Sequence, residues 1–328
     1  MMMTNTSNPL PVKVRHSFIK IPTGSELSKR QLPIMSVDSG IPGPVVWLTA
    51  CCHGDEVGGV VIIQEIFKKI RNKTILSRGS VFAFPLMNPI GFETASRRIP
   101  LSNEDLNRSF PGNKDGSLGE RLADMIFTTI LKTNPTVVLD LHNDWIKSIP
   151  YVLIDPEHRG MLSEVYQATE NFGSKTGFLM IRDTEEIQKS LCFSLHKQNI
   201  PAMTLELGES CIINEKNVAY GVKSIEQILA YLKMIKPEKE PFQYHLPEIN
   251  HGKILNYFAR PYSSTSGIIR FLVKPGERVK KGQAVAKIYN TFGRLQQTLA
   301  ALHDGVVLGH SDSSVAFPGK PILAFGIE

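Results

Sequence analysis

The chain has few cysteines and no long hydrophobic run. Its four cysteines, Cys51, Cys52, Cys192 and Cys211, are spread over 328 residues, too few and too irregular for a disulfide framework. Cys51 and Cys52 are neighbours, which would strain a mutual bridge. They read as small buried spacers, with soft metal ligands as the other reading. No stretch of about 18 apolar residues occurs, so no transmembrane helix and no membrane partner are expected. Met1 to Pro11 is polar and lacks the apolar centre of a signal peptide, which makes the cytoplasm the expected location. Repeats and low-complexity tracts are absent. The net charge of +6 comes from scattered lysines and arginines. An aromatic-interleaved basic stripe is missing, so no nucleic-acid partner is expected. A positively charged cleft for an anionic small substrate accounts for the charge equally well.

What is present is the composition of a globular protein, 42% hydrophobic and 21% charged. At 328 residues the chain is long enough for a large domain and a smaller one. Short apolar runs at 44–50, 80–86, 136–142 and 202–207 read as strands. Helical periodicity marks 59–71, 118–132, 160–172, 185–198 and 216–235. The alternation predicts an α/β fold, a central sheet with helices on both faces. Lys236-Pro237-Glu238-Lys239-Glu240-Pro241 cannot continue a helix and reads as a linker, dividing the chain into 1–240 and 241–328. Beyond it, glycine-punctuated β runs such as Gly267–Val273, Ala284–Ile288 and Pro321–Phe325 predict a small C-terminal all-β domain. The turn Val273-Lys274-Pro275-Gly276 resembles the hammerhead of biotinyl and lipoyl carrier domains. No lysine-bearing attachment turn follows it, which argues against a swinging arm.

The chemistry concentrates just after two of the strands. His53 and Glu56 follow Val45–Thr49 in Ala50-Cys51-Cys52-His53-Gly54-Asp55-Glu56. An imidazole and a carboxylate there suit two of the three protein ligands of a catalytic zinc. His142 closes Val137-Val138-Leu139-Asp140-Leu141-His142 and is the candidate third ligand. Taken alone it reads equally as the surface end of a strand, but sheet ligands gather at strand C-termini. Strand alternation places Asp140 and His142 on one face, where Asp140 is able to support a ligating histidine. Glu206, within the apolar run 202–207, is the candidate general base, because a buried carboxylate is costly without a partner or a role. Glu209 is the weaker candidate, and a structural ion pair is the other reading of Glu206. The polar loop Ser96–Gly112 offers Arg97 or Arg98 to stabilise an oxyanion, and Asn107 with Arg108 to hold an anionic substrate group. By itself such a loop is ordinary solvated surface.

Together these pieces resemble the succinylglutamate desuccinylase/aspartoacylase family of zinc carboxypeptidase-like deacylases. The matching pieces are His53-Gly54-Asp55-Glu56, Asn88-Pro89, Asp105-Leu106-Asn107-Arg108, Asp140-Leu141-His142 and Glu206-Leu207-Gly208, in the family's order. The resemblance implies one zinc per chain, bound by His53, Glu56 and His142, with Glu206 as base and proton shuttle. It implies that Asn107 and Arg108 grip a substrate carboxylate and that an upstream arginine, Arg98 by choice, polarises the scissile carbonyl. The implied substrate is a small N-acylated amino acid or related amine that bears a carboxylate. Two departures leave its identity open. Aspartate-cleaving members carry another arginine shortly before the catalytic glutamate, where this chain has Leu195-His196-Lys197-Gln198-Asn199-Ile200. Members also place a C-terminal tyrosine over the site, for which Tyr262 and Tyr289 are the candidates. The C-terminal region is available to narrow access or to make homo-oligomer contacts. The competing readings are a carboxypeptidase on the same scaffold, a non-catalytic zinc-binding interaction protein and, last, a carrier.

Overall fold

The four apolar runs become four adjacent parallel strands, in the order Ser80–Phe84, Val45–Ala50, Val137–His142 and Ala202–Leu207. This is seen in a computed structural model that describes residues 13–21, 30–72, 76–158, 160–184, 187–246 and 253–328. Met1 to Pro11 lies outside the described residues. Val137–His142 is buried along its whole length, because helices cover both faces of the sheet. Leu139 and Leu141 pack with the helices Gly58–Asn72 and Glu215–Tyr231, whereas Val138 packs with Leu118–Leu131 and Leu191–His196. The period-two alternation of the strand decides which residue meets which layer.

The sheet extends beyond the expected strands on both sides. Arg15–Lys20 and Gln31–Asp38 form one edge, antiparallel. On the other side lie Pro150–Ile154, antiparallel to Ala202–Leu207, and then Leu179–Arg182. Ile254–Phe258 pairs in parallel with Leu179–Arg182, so hydrogen bonding runs across position 240–241, where the sequence places its domain boundary. Leu323–Ile327, Gly305–His310 and Arg278–Val279 complete a sheet of 13 strands among the described residues. A separate sheet of four, Leu295–Ala300, Ala284–Tyr289, Gly267–Phe271 and Val315–Ala316, makes the C-terminal region wholly β. Residues 236–246 carry no helix or strand.

Two helices begin later than their sequence bounds. The segment 160–172 begins instead at Ser163 and ends at Lys175. The segment 185–198 is helical only over Leu191–His196, because the Ser190 side chain accepts from the Phe193 N–H and caps the helix there. Residues 185 and 186 lie outside the described set. Among the described residues, no helix is long and apolar enough to cross a membrane.

Trp47 anchors the face that later carries the site. It is fully buried, stacks on Phe82 and Phe84 at 5.2 and 5.1 Å between ring centroids, and its Nε1 donates to Thr133 Oγ1 at 2.8 Å. Trp47→Ala is expected to cost about 3–5 kcal/mol of stability through the cavity left behind. Urea unfolding should show a lower midpoint at an unchanged slope, and an unchanged midpoint would count against this packing role.

Candidate active site

The segment after Ala50 is held in an unusual path by small residues and backbone hydrogen bonds. Cys51 takes a left-handed φ of 53°, and the Met87 and Asn88 amides donate to the Ala50 and Cys51 carbonyls at 3.0 and 2.9 Å. Asn88 Oδ1 accepts from the Gly91 N–H at 2.8 Å and caps the short helix Pro89–Glu93, which presses Gly91 against Gly54. A Cβ on Gly54 would lie 2.0 Å from the Gly91 carbonyl carbon. The Asn88-Pro89 pair thus shapes the loop that carries His53 and Glu56.

Glu56 lies between two imidazoles. His53 Nδ1 is 2.6 Å from Glu56 Oε1, and His142 Nδ1 is 2.7 Å from Oε2. The three side chains are 2–3% exposed, and one ligating atom from each lies within 4.8 Å of the others. Both rear nitrogens are held by carboxylates: His53 Nε2 by Asp105 at 3.1 Å and His142 Nε2 by Asp140 at 3.0 Å. Thr49 Oγ1 donates to the other Asp140 oxygen at 2.6 Å. Burial disfavours charge on Glu56, but His53 and His142 hold its carboxyl well below the usual range. Burial likewise opposes charge on His142, yet Asp140 and Glu56 push its pKa well above that of a free imidazole. Three carboxylates therefore surround two imidazoles here, and histidines backed by carboxylates are the usual surroundings of a metal. The donor set fits a divalent cation of zinc type. Asp105 was not expected from the sequence to support His53; only its place two residues before Asn107 marked it.

Among the described residues, the side chains close enough together to hold a metal include no cysteine. Cys51 and Cys52 are buried, and burial, with Glu56 and Asp55 adding to it, pushes the Cys51 thiol up to about 12. The neutral thiol is a poor ligand, and the spacer reading stands.

The cleft beside this centre, about 390 Å3 in volume, places the other expected residues. Glu206, Asn107 and Arg108 line it. Glu206 sits directly beside His142 in the parallel strand register, and its Oε2 has no hydrogen-bond partner among the described residues. Burial, with the charges of Asp144 and Glu56, pushes its pKa well above the usual value against the opposing pull of His142 and Arg97. Asn107 Oδ1 accepts from the Leu191 N–H at 3.0 Å, which ties the loop to the capped helix. Of the two arginines, the one beside Glu56 is Arg97. Arg97 lines the cleft and reaches Glu56 and Asp105 at 3.3 and 3.6 Å, whereas Arg98 is exposed and donates to the Asn103 carbonyl at 2.8 Å. Adjacent side chains diverge in an extended loop, and the inner one is Arg97.

Two further expectations change. Neither Tyr262 nor Tyr289 lines the cleft; the C-terminal region contributes Asp312 instead. The Ile146 N–H donates to Asp312 at 2.6 Å, and Gly309 and His310 pair with Lys147–Ser148, so this region borders the cleft. Nor is the cleft basic. Beside Glu56 and Glu206 it carries Asp55, Asp144, Asp155, Asp183 and Asp312, against Arg97 and Arg108. The positive net charge is spread over the outer surface.

The fold is of the metallo-carboxypeptidase class. A metallo-carboxypeptidase from Burkholderia cenocepacia superposes with a TM-score of 0.56 over 68% of this chain and 65% of that one, at 15% identity. Within this class the chain belongs to the succinylglutamate desuccinylase/aspartoacylase family, whose catalytic-domain model matches residues 42–232. It is 27% identical over 292 residues to the N-alpha-acetyl-L-2,4-diaminobutyric acid deacetylase of Halomonas elongata, covering 84% of this chain and 80% of that protein. A succinylglutamate desuccinylase from a Silicibacter species superposes with a TM-score of 0.82 at 20% identity, over 98% of this chain and 97% of the other. Members of the family are deacylases, hydrolases of amide bonds.

Two outcomes test the local construction. Gly54→Ala should destabilise the fold by about 1–3 kcal/mol, since its Cβ would overlap backbone that cannot swing aside; a wild-type melting temperature would contradict the close approach. Asp105→Asn should weaken divalent-metal binding about 10–100-fold in a competitive chelator titration. Unchanged affinity would remove Asp105 from the support of His53.

Proposed function

We propose that this protein is a zinc-dependent deacylase that hydrolyses the amide bond of a small N-acylated amino acid. The observation that carries the proposal is the buried convergence of His53, Glu56 and His142 in one cleft with the partnerless carboxylate oxygen of Glu206. In this reading His53, Glu56 and His142 hold one zinc ion per chain. Bound zinc would supply a Lewis acid for the acyl carbonyl and make water more acidic. Glu206 then takes the proton from the attacking water and delivers it to the departing amine. Arg97 donates to the oxyanion that develops on the carbonyl oxygen. Asn107 and Arg108 hold the substrate carboxylate and so orient the amide across Glu206. The curated relative's deacetylase activity supports amide hydrolysis as the reaction. The buried free cysteines suit the reducing cytoplasm as its location.

The carboxypeptidase alternative is disfavoured by the C-terminal region. Asp312 lines the cleft and its neighbours pair with the segment beside it, which in this reading leaves less room for an extended peptide than for a small acyl amino acid.

Glu206→Gln is expected to keep the metal and lose activity by roughly 10²–10⁴-fold, the scale of a missing general base. Metal analysis alongside steady-state rates decides this, and a fully active variant would take Glu206 out of the mechanism. The pH profile provides a second check. Glu206 acts as a base only when ionised, and its raised pKa places the acid limb of kcat/KM above the range of an ordinary glutamate. Activity should therefore fall as pH falls through that raised value. Asp144 raises that pKa, so Asp144→Asn should move the limb to lower pH. A shift to higher pH, or none, would contradict the assignment.

A further inference from the structure

The loop that follows His142 is tied down in two different ways. Its first residues bond to the catalytic centre. The Asn143 N–H donates to Glu56 at 3.1 Å, its side-chain amide donates to the Glu209 carbonyl at 3.1 Å, and the Asp144 N–H donates to the Gly208 carbonyl at 3.0 Å. The next peptide, between Trp145 and Ile146, is held from elsewhere. Its carbonyl accepts from the Ser148 hydroxyl at 2.9 Å, and its N–H donates to Asp312 Oδ1 at 2.6 Å. With both polar groups engaged, the plane of this peptide is fixed, and with it the position from which the Trp145 side chain departs.

Asp312 is 166 residues further along the chain and sits on a turn that is itself pinned. The Ser311 N–H donates to the Ile322 carbonyl at 2.8 Å, the Ser311 hydroxyl to the Ser313 carbonyl at 2.8 Å, and the Ile269 N–H to the Ser314 carbonyl at 2.8 Å. The backbone pairing of Gly309 and His310 with Ser148 and Lys147 stops at Lys147. One residue beyond, the Asp312 side chain makes the bond that the ladder does not. A carboxylate is a stronger acceptor for an N–H than a carbonyl, which suits a place where the strand pairing has ended.

The residue placed by this bond is the largest apolar group of the cleft. Trp145, Leu153 and Ile187 are the apolar members of a lining otherwise made of polar and charged side chains, and no other Trp, Tyr or Phe belongs to it among the described residues. Trp145 also packs against the buried cluster that contains Ile149, Tyr151 and Leu308, so it stands between that core and the cleft. The carbon atoms of a bound substrate have these three side chains to rest on, and the indole offers the most area.

We propose that Asp312 is a positioning residue for substrate binding: from the C-terminal region it holds the Trp145–Ile146 peptide and so keeps Trp145 in place as the apolar wall of the cleft. The C-terminal region then governs how tightly the substrate is held, while the chemistry stays with the residues around Glu206. This deepens the deacylase reading and rests on it for the nature of the ligand.

The test compares zinc-loaded wild type, Asp312→Ala, Asp312→Asn and Trp145→Ala in steady-state kinetics on a panel of N-acetyl-L-amino acids and in acrylamide quenching of tryptophan fluorescence. The chain has two tryptophans, the wholly buried Trp47 and the partly exposed Trp145, so quenching reports on Trp145. Asp312→Ala should raise KM about 10-fold with kcat within about threefold, the pattern of lost binding rather than lost chemistry. Its quenching constant without ligand should rise about twofold or more as the loop loosens. Asp312→Asn keeps an oxygen that accepts from the Ile146 N–H and should stay near wild type in both measurements. Trp145→Ala should raise KM at least as much as Asp312→Ala. An unchanged KM and quenching constant in Asp312→Ala overturns the proposal. So does a fall in kcat at unchanged KM, or an Asp312→Asn variant that behaves like Asp312→Ala, since charge rather than position would then matter. Should Asp312→Ala fail to fold, Trp145→Ala decides: a raised KM supports the proposal and a wild-type KM overturns it. Lack of wild-type turnover on the whole panel defeats the deacylase reading instead, and the quenching constants of the two Asp312 variants still decide whether Asp312 holds Trp145.

Discussion

Everything in this site depends on keeping the Glu56 carboxylate ionised in a place that water hardly reaches. A buried carboxylate on its own would take up a proton. Glu56 avoids this through two imidazoles at 2.6 and 2.7 Å and the backbone N–H of Asn143 at 3.1 Å. Each imidazole in turn needs a carboxylate behind it, and Asp105 and Asp140 provide one each. The result is an alternating chain of acids and bases, Asp105–His53–Glu56–His142–Asp140, in which removing any member leaves a buried charge unpaired. A divalent cation suits the middle of such a chain because it replaces protons that the imidazoles and Glu56 would otherwise share.

That chain reaches far into the fold. Asp140 and His142 are on the same strand face, Asp105 begins the loop whose Asn107 docks on the helix at Leu191, and Asn143 accepts from the Gly58 N–H at the start of the helix after Glu56. Four elements that do not touch in sequence are therefore bound through one buried electrostatic group. The glycine at 54 and the left-handed Cys51 follow from the same demand: the chain must turn back sharply after Ala50 to bring Glu56 under His142. The loop is tight because the charges it carries have to meet.

How much of this could be read from the sequence depends on the physical signal each part leaves. The four central strands stand out because both of their faces are covered, which makes them uninterrupted apolar runs. Arg15–Lys20 is exposed along most of its length, and Pro150–Ile154 opens on a proline, so neither shows that signal. His53, Glu56, His142 and Glu206 were legible as polar residues placed at or after buried strands. Arg97 and Arg98 were not separable, because neighbours in an irregular loop have no periodicity to say which points inward. Asp155 and Asp183 also follow strands, but short ones, and His196, which faces Asp155, sits on a helix whose start depends on the Ser190 cap.

Charge shows most clearly why a sum over residues does not describe a cleft. The chain is positive overall, yet the walls below Glu206 are acidic, because lysine and most arginine side chains keep their heads in water while the carboxylates near the site are fixed by hydrogen bonds. Asp144 is bonded by the Tyr151 hydroxyl at 2.9 Å and Asp312 by the Ile146 N–H at 2.6 Å. Asp144 raises the pKa of Glu206 and so tunes the base, and Asp312 in turn raises that of Asp144. The ionisation of Glu206 and the charge of the cleft wall are therefore linked. An acidic wall makes this buried carboxylate more basic, and an arginine introduced there would lower its pKa as well as change the charge a ligand meets.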